Sequence, residues 1–317
     1  MSASALVVGA GPVGRNVARL LGVRGERVTV ATRSGTDLGL PGVRCVALDA
    51  RDADALTDAA RGAAVLYNCA NPGSYERWAA EWPPLAAALL AAAERSGAVY
   101  AITGNLYPYG PVDGPMTPDL PDAAADAKGR LRARIWADAR AAHEAGRVRA
   151  FEVRGSDYVG AGVGGNGHVS RQLPRLRAGR RLRVIGSPDE PHTFTDVLDV
   201  ARTLIAAAGD DDAHGRIWHV PSNPPRTQRE ALGDVAAAGG LPTPRVSGTP
   251  IWLLRAVGLL SPLVRELVPM TYQWTRPYVL DDAETRGRLR VEPTPWDEVC
   301  RRTLEDQASA KASGGAM

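Results

Sequence analysis

The amino-terminal segment 4–34 contains the pattern that most constrains the fold of this 317-residue chain. An apolar run, ALVV, leads directly into GAGPVG, then into a stretch with helical spacing, and then into a second apolar run, RVTVA. A strand, a glycine turn, a helix and a second strand fit into about 30 residues, the length that a right-handed parallel crossover requires. The segment therefore predicts that a parallel sheet begins here, with glycines at its first turn.

The alternation of strand-like and helix-like patterns continues as far as Arg154. The apolar runs VRCVAL, AAVLYNCA, AVYAIT and RVRAFEVR are separated by segments with helical periodicity. This order predicts an α/β fold, namely a Rossmann-type doubly wound parallel sheet with helices on both faces. After Arg154 the sequence becomes glycine-rich and then helical with many prolines, which indicates a smaller, mostly helical substrate-binding lobe.

These changes in sequence texture give the expected division of the chain. Residues 1–165 form the dinucleotide-binding core, and residues 193–222 return to it with one more helix and strand. The smaller lobe consists of residues 166–192 and 223–305. The low-complexity end, 306–317, is expected to be a disordered tail.

Composition argues against several classes of protein. The net charge of +3 is small, and no dense Lys/Arg run suggests a nucleic-acid groove. No apolar run reaches the roughly 18 residues of a membrane span, and no signal-peptide pattern is present. Three scattered cysteines favour a reducing compartment, and the five histidines lack metal-ligand spacing. We expect a cytoplasmic, metal-free protein that binds a small molecule; the sequence allows a homodimer without indicating one.

The GAGPVG turn is expected to bind the pyrophosphate of a dinucleotide. Gly9 permits the tight turn, Gly11 lets the backbone approach the phosphates, and Gly14 lets the helix pack on the strand. Pro12 and Val13 open the helix, whose free N–H groups would face the phosphates. The alternative is a structural turn that binds no ligand.

The end of the second predicted strand indicates which dinucleotide is bound. An NAD site carries Asp or Glu there, about 20 residues past the glycines. Here the sequence is VATRSG, in which Arg33 can pair with a 2′-phosphate and Ser34 adds a hydroxyl. The missing acid and the available base favour NADP over NAD, although Arg33 could also be a solvated loop residue.

Two further segments are expected to contact the dinucleotide. Asp49 follows the third predicted strand and is a reasonable partner for the adenine ring. The sequence NCANP ends the fourth predicted strand, and its residues Ala70, Asn71 and Pro72 should lie near the nicotinamide half. Ligands of open α/β sheets bind outside these carboxyl ends of the strands.

Together these motifs resemble the extended short-chain dehydrogenase/reductase superfamily, the group that holds nucleotide-sugar epimerases and dehydratases. The resemblance covers about residues 3–305 and also includes LDARD, NLYPYGP, RGSDYVGAG and FTDVLDVA. It implies a serine at the end of the fifth strand, and a tyrosine and a lysine four residues apart on the next helix. In the superfamily the tyrosine exchanges a proton with the substrate, while the lysine lowers the tyrosine pKa and holds the nicotinamide ribose.

The chain departs from that pattern at all three positions. The serine position falls on Asn105, the tyrosine position on Lys128 and the lysine position on Arg132. No tyrosine in the sequence has a lysine four residues later. Lysine itself is rare, because Lys128 and Lys311 are the two lysines among 38 Lys plus Arg residues.

Three interpretations of Lys128 remain open. In the first, Lys128 is the general acid, a role closed to the permanently charged Arg132, which would hold the ribose or the substrate. In the second, Tyr107 or Tyr109 on the preceding loop supplies the proton and Lys128 tunes it. In the third, Lys128 is a solvated residue and the chemistry has been lost. Asn105 would donate a hydrogen bond to a substrate carbonyl, or would simply be a turn residue.

The expected function is that of an NADP-dependent oxidoreductase of an atypical extended short-chain dehydrogenase type. It would reduce a carbonyl, or epimerise or dehydrate a polar small metabolite. The alternative is a non-catalytic NADP-binding sensor or scaffold. His192 lies in a segment that reaches the substrate in relatives, but taken alone it is more typical of a surface histidine.

Overall fold

The computed structural model describes residues 4–314 and has a seven-stranded parallel sheet as its central layer. We number strands and helices in chain order. The sheet contains β1 (Ser4–Val8), β2 (Arg27–Thr32), β3 (Val43–Ala47), β4 (Val65–Asn68), β5 (Val99–Asn105), β6 (Ala150–Gly155) and β10 (Ile217–His219). Their spatial order is β3-β2-β1-β4-β5-β6-β10, so the direction of winding reverses between β1 and β4. The predicted doubly wound parallel sheet is confirmed.

Helices cover both faces of the sheet, which explains why its strands are almost continuously apolar. One face packs against α1 (Pro12–Val23) and α6 (Val197–Ala208). The other face packs against α2 (Ala53–Ala59), α3 (Trp78–Ser96) and α4 (Ala127–Glu144). Two separate apolar cores result, one on each side of the sheet.

The remaining elements belong mainly to the part of the chain after β6. Two small parallel sheets pair β7 (Asp157–Val159) with β9 (Phe194–Asp196) and β8 (Leu182–Ile185) with β11 (Val246–Thr249). The helices are α5 (Leu173–Arg177), α7 (Gln228–Ala238), α8 (Ile251–Gly258), α9 (Pro262–Leu267), α10 (Ala283–Leu289) and α11 (Trp296–Gly314). The segment predicted as a disordered tail overlaps α11 as far as Gly314, and its last residues, 315–317, lie outside the described residues.

A cluster of buried charges fixes α4 against the sheet. Arg154 on β6 donates from Nε to Glu152 at 2.7 Å and from its two terminal nitrogens to Asp122 at 2.6 and 3.1 Å. Arg132 on α4 lies 3.6 Å from Glu152 and donates to the Thr103 carbonyl oxygen at 2.6 Å. Because Glu152 is fully buried, these guanidinium groups compensate its charge and hold α4 at the carboxyl edge of β5 and β6.

Within residues 4–314, none of the helices combines the length and the apolar character that crossing a bilayer would need.

Replacing Arg154 by methionine should strongly destabilise the fold, because Glu152 would keep only the more distant Arg132. Removing one partner of a buried ion pair costs about 3–5 kcal/mol in free energy of unfolding. Chemical denaturation followed by circular dichroism measures the loss. Arg149→Met, at an exposed position near the start of β6, is the control and should change stability far less. If the two variants lost the same free energy of unfolding, the claim that the buried charges hold α4 against the sheet would be contradicted.

Candidate active site

A cleft with a volume of about 590 Å³ runs along the carboxyl edge of the sheet. Its walls come from the ends of β1, β2, β4, β5 and β6, the loops that follow these strands, and the start of α3. The cleft therefore crosses the point between β1 and β4 where the winding reverses. Open α/β sheets bind their ligands in this crevice, and the volume is in the usual range for a small-molecule site.

The glycine turn has the geometry that a pyrophosphate needs. Gly9 has a φ of +99°, and a Cβ there would lie 2.8 Å from the carbonyl oxygen of Cys69. A Cβ on Gly14 would overlap the carbonyl oxygen of Gly9, so α1 packs on the turn itself. Gly11 lines the cleft with nothing within 4 Å of its Cβ position. Since α1 begins at Pro12 without a side-chain cap, its amino end is free to bind an anion.

Two arginines line the end of the cleft beside β2 and β3. Arg33, directly after β2, lines the cleft. Asp49 lines it too, but its carboxylate pairs with Arg51 at 2.6 Å, and this hydrogen bond lowers the pKa of Asp49 to about 2. Arg51 also lines the cleft, although the sequence analysis did not select it. Ser34 does not line it, because its hydroxyl turns toward Thr36 at 2.8 Å.

The loop after β4 continues the cleft toward its other end. The three residues expected there, Ala70, Asn71 and Pro72, all line the cleft. The Pro72 carbonyl oxygen accepts a hydrogen bond from the Trp78 indole at 3.2 Å, which ties the loop to the start of α3. The loop therefore forms part of the wall, and its contact with the nicotinamide half stays a prediction.

The loops after β4 and β5 bring two hydroxyl groups together. Tyr107 and Tyr75 both line the cleft, and their hydroxyl oxygens lie 2.8 Å apart. Burial raises the pKa of both phenols, so both carry their protons at neutral pH. Asn105 also lines the cleft, and its side-chain oxygen accepts from the Tyr107 backbone N–H at 3.2 Å, as a turn residue does. Tyr109 does not line the cleft, and its hydroxyl contacts His219 at 2.8 Å.

Lys128 is buried, but it does not line the cleft. Its Nζ lies 2.5 Å from the carboxylate of Glu266 on α9 and donates to the Glu266 backbone carbonyl at 2.8 Å. Nζ also lies 5.4 Å from the centroid of the Tyr75 ring. The interpretation of Lys128 as the general acid is not supported, because Lys128 does not line the cleft and its amine is paired with Glu266. The interpretation of Lys128 as a solvated residue is wrong, because its side chain is only 6% exposed.

Arg132 lines the cleft from α4, one turn after Lys128. Its guanidinium group lies 4.7 Å from the Trp82 ring and is buried. Burial lowers the pKa of Arg132, and the nearby Glu152 opposes that effect. An arginine keeps its charge under these conditions, so Arg132 can hold a polar group but cannot transfer a proton.

The part of the chain after β6 contributes a carboxylate to the cleft that was not predicted from the sequence. Asp157, the first residue of β7, lines the cleft. The Trp274 indole donates to its Oδ2 at 3.1 Å, and Nε2 of His192 and of His168 lie 3.1 and 3.7 Å from the same oxygen. Burial alone would raise the pKa of Asp157, but the two histidines and these hydrogen bonds lower it below its usual value. The sequence did contain a signal for this residue, because Asp157 follows the predicted strand RVRAFEVR closely, at the edge of the sheet where ligands bind.

The two histidines beside Asp157 differ in exposure, because His168 lines the cleft and His192 is covered by protein. His192, expected at the surface, is buried, and its Nδ1 donates to the Gln273 carbonyl oxygen at 3.1 Å. Burial lowers the pKa of His168 to about 3, and Arg171 at 3.0 Å adds to that effect. Neither here nor elsewhere in residues 4–314 do His, Cys, Asp and Glu side chains form a group that could hold a metal ion.

Comparisons with known proteins agree with this architecture. The family model described as "NAD dependent epimerase/dehydratase family" matches residues 5–220. MoeE5 in complex with UDP-glucose and NAD has a TM-score of 0.77 at 18% identity, over 97% of this chain and 99% of that one. A double mutant of DesIV, a dTDP-glucose 4,6-dehydratase from Streptomyces venezuelae with NAD and DAU bound, has a TM-score of 0.76 at 20% identity, over 98% of both chains.

A third solved structure with the same fold is UDP-glucuronic acid 4-epimerase from Bacillus cereus in complex with NAD. Its TM-score is 0.78 at 13% identity, over 97% of this chain and 99% of that one. No curated protein sequence matches the chain. At these identities the solved structures establish the fold and leave the substrate open.

Two glycine variants should separate packing from ligand binding at the turn. Gly14→Ala should destabilise the protein by about 1–3 kcal/mol, because its methyl group would overlap the Gly9 carbonyl. Gly11→Ala should leave the melting temperature nearly unchanged, because Gly11 has a φ of −68° and open space at its Cβ. It should nevertheless weaken dinucleotide binding. Differential scanning fluorimetry and fluorescence titration with NADPH measure the two effects. Normal NADPH binding by Gly11→Ala would contradict a pyrophosphate site at this turn.

Proposed function

The chain belongs to the NAD dependent epimerase/dehydratase family, and we propose that it is an NADP-dependent oxidoreductase in which Tyr107 carries the transferred proton. Its substrate would be a polar small metabolite whose carbonyl is reduced, or which is epimerised or dehydrated. The observation that supports this most is that Tyr107 lines the cleft beside Asn105, whereas the Lys128 amine pairs with Glu266. The second interpretation of Lys128 is therefore the one that we retain.

The residues at the end of β5 suit proton transfer to a carbonyl oxygen. The bound nicotinamide would supply or accept the hydride. Tyr107 would give its proton to the oxygen of the carbon that receives the hydride, and the Asn105 amide would orient that oxygen. Because the Tyr75 hydroxyl lies 2.8 Å from that of Tyr107, Tyr75 can return a proton to it. A buried phenol with a raised pKa holds its proton until such an acceptor is present.

Lys128 would act as a positioning residue for these two tyrosines. Its ammonium group links α4 to α9 through Glu266, and it lies over the ring of Tyr75. These contacts would hold Tyr75 in place. Arg132, which faces the cleft, would hold the nicotinamide ribose or the substrate in place of the lysine of the wider superfamily.

The preference for NADP rests on this chain's own residues, since the three structures named above contain NAD. Arg33 and Arg51 both line the adenosine end of the cleft, and β2 ends without a carboxylate. A guanidinium group pairs with a phosphate through charge-assisted hydrogen bonds, which a 2′-hydroxyl cannot match. Asp49 already pairs with Arg51, so its carboxylate does not replace the missing acid.

Tyr107→Phe should lower NADPH-dependent turnover by about 100-fold or more, because the proton donor is lost. NADPH binding should not change. Turnover is followed by NADPH fluorescence with a panel of ketones and sugar nucleotides. Tyr109→Phe is the matched control on the same loop and should keep most activity, since that hydroxyl contacts His219 outside the cleft. If Lys128→Met lowered turnover more than Tyr107→Phe does, Lys128 would be the better candidate for the proton donor. Wild-type protein that binds NADPH and turns over none of the panel would favour the sensor.

Arg33→Ala should weaken NADPH binding by about tenfold or more, because a hydrogen bond between charged groups is lost. NADH lacks the 2′-phosphate, so its affinity should change little. Fluorescence titration of both cofactors gives the comparison. Arg61→Ala removes an exposed arginine that pairs with Asp58 away from the cleft, and it should affect neither cofactor. Equal losses for NADPH and NADH in Arg33→Ala would rule out the 2′-phosphate contact.

A further inference from the structure

The lobe side of the cleft faces the two tyrosines with polar groups that the proposed proton transfer does not use. Asp157, His168 and Tyr278 line this side. Tyr278 is 3% exposed, and among the described residues its hydroxyl has no hydrogen-bond partner. Buried polar groups without partners are costly, so an unpartnered hydroxyl in a cleft wall indicates a polar ligand.

Asp157 is held in one orientation. Trp274, His168 and His192 all approach Oδ2, so Oδ1 is the oxygen that remains for a ligand. His192 uses Nδ1 to donate to the Gln273 carbonyl oxygen, and its Nε2 faces the carboxylate at 3.1 Å. Asp157 is therefore a fixed hydrogen-bond acceptor rather than a mobile surface carboxylate.

The negative charge of Asp157 affects Tyr107, the proposed proton donor, and Tyr278. Burial is the main cause of the raised pKa of Tyr107 and of Tyr278, and the negative charge of Asp157 raises both further. Arg132 also lines the cleft, but its guanidinium group contacts Glu152 and the Thr103 carbonyl oxygen. A carboxylate at this position accepts a hydrogen bond from a hydroxyl group, whereas a second carboxylate has no proton to donate to it.

We propose that Asp157 is a substrate-binding residue that selects a carbonyl compound with a hydroxyl group beside the carbonyl over one with a carboxylate there. The hydroxyl would donate to Oδ1 of Asp157 while Tyr107 contacts the carbonyl oxygen. His192 and Trp274 are positioning residues, since they act through Asp157. The inference rests on the proposed function, because it assumes that the carbonyl is held at Tyr107.

Two small methyl ketones of similar shape test this selection. Hydroxyacetone carries a hydroxymethyl group where pyruvate carries a carboxylate. With NADPH, wild-type protein should reduce hydroxyacetone with a kcat/KM about tenfold or more above that for pyruvate. Asp157→Asn should lower the ratio of kcat/KM for hydroxyacetone to that for pyruvate, mainly by raising the KM for hydroxyacetone. Asp113→Asn, which changes an exposed carboxylate outside the cleft, should leave the ratio unchanged. Equal or better use of pyruvate by the wild type overturns the inference while the proposed function stands.

A binding measurement keeps the inference testable without turnover or a stable variant. The chain has five histidines, so ¹⁵N-histidine NMR can resolve His168 and His192 in wild-type protein with NADPH. Hydroxyacetone should shift these two signals and pyruvate should not. His214, which pairs with Asp211 away from the cleft, is the internal reference. Unshifted signals at saturating hydroxyacetone overturn the inference. Shifts without NADPH oxidation by any carbonyl would support the site and contradict the proposed function.

Discussion

The close contact between α1 and the turn after β1 is the constraint on which the rest of the site depends. A side chain at position 14 would overlap the Gly9 carbonyl, and one at position 9 would crowd the backbone after β4. The helix can therefore approach the sheet only because both positions are glycine. That approach places the uncapped amino end of α1 at the point where the winding reverses. The amino end of α1 therefore lies at the cleft, where Gly11, Pro12 and Val13 form part of the lining.

A second constraint comes from the charges buried beneath the cleft. Arg132 and Lys128 stand on the same helix, one turn apart, and both are buried. Arg132 is directed toward the sheet by Glu152 and the Thr103 carbonyl, whereas Lys128 is directed toward the lobe by Glu266. Each cation thus has a partner, as buried charges require. The proton-bearing groups of the cleft come instead from the loops after β4 and β5, and the carboxylate comes from β7.

Local patterns allowed the sheet to be predicted from the sequence, and the glycine turn expected at its edge does line the cleft. Strand and helix periodicities repeat over short segments, and the roles of Gly9, Gly11 and Gly14 depend on residues close to them in the chain. Asn105 and Tyr107, expected from their place at the end of a predicted strand, line the cleft, and their roles stay predictions. Ser34 does not line the cleft, and its hydroxyl is hydrogen-bonded to Thr36.

The remaining parts of the site depend on contacts between distant segments. Lys128 and Glu266 are 138 residues apart, and Asp157 and Trp274 are 117 residues apart. No periodicity links such positions, so the sequence could not show that the lysine is paired or that the carboxylate is fixed. His192 looked like a surface residue for the same reason, because the segment that covers it lies about 80 residues further along the chain. The surroundings of Lys128, Asp157 and His192 are therefore set by tertiary contacts with residues after position 260.

A crystal structure of the protein with NADPH bound is the most direct measurement of the central claim. We expect the pyrophosphate at Gly11, the nicotinamide ring beside the Tyr107 hydroxyl, and the Lys128 amine still paired with Glu266. A cleft without cofactor, or a Lys128 amine turned to the nicotinamide in place of the Tyr107 hydroxyl, would contradict it.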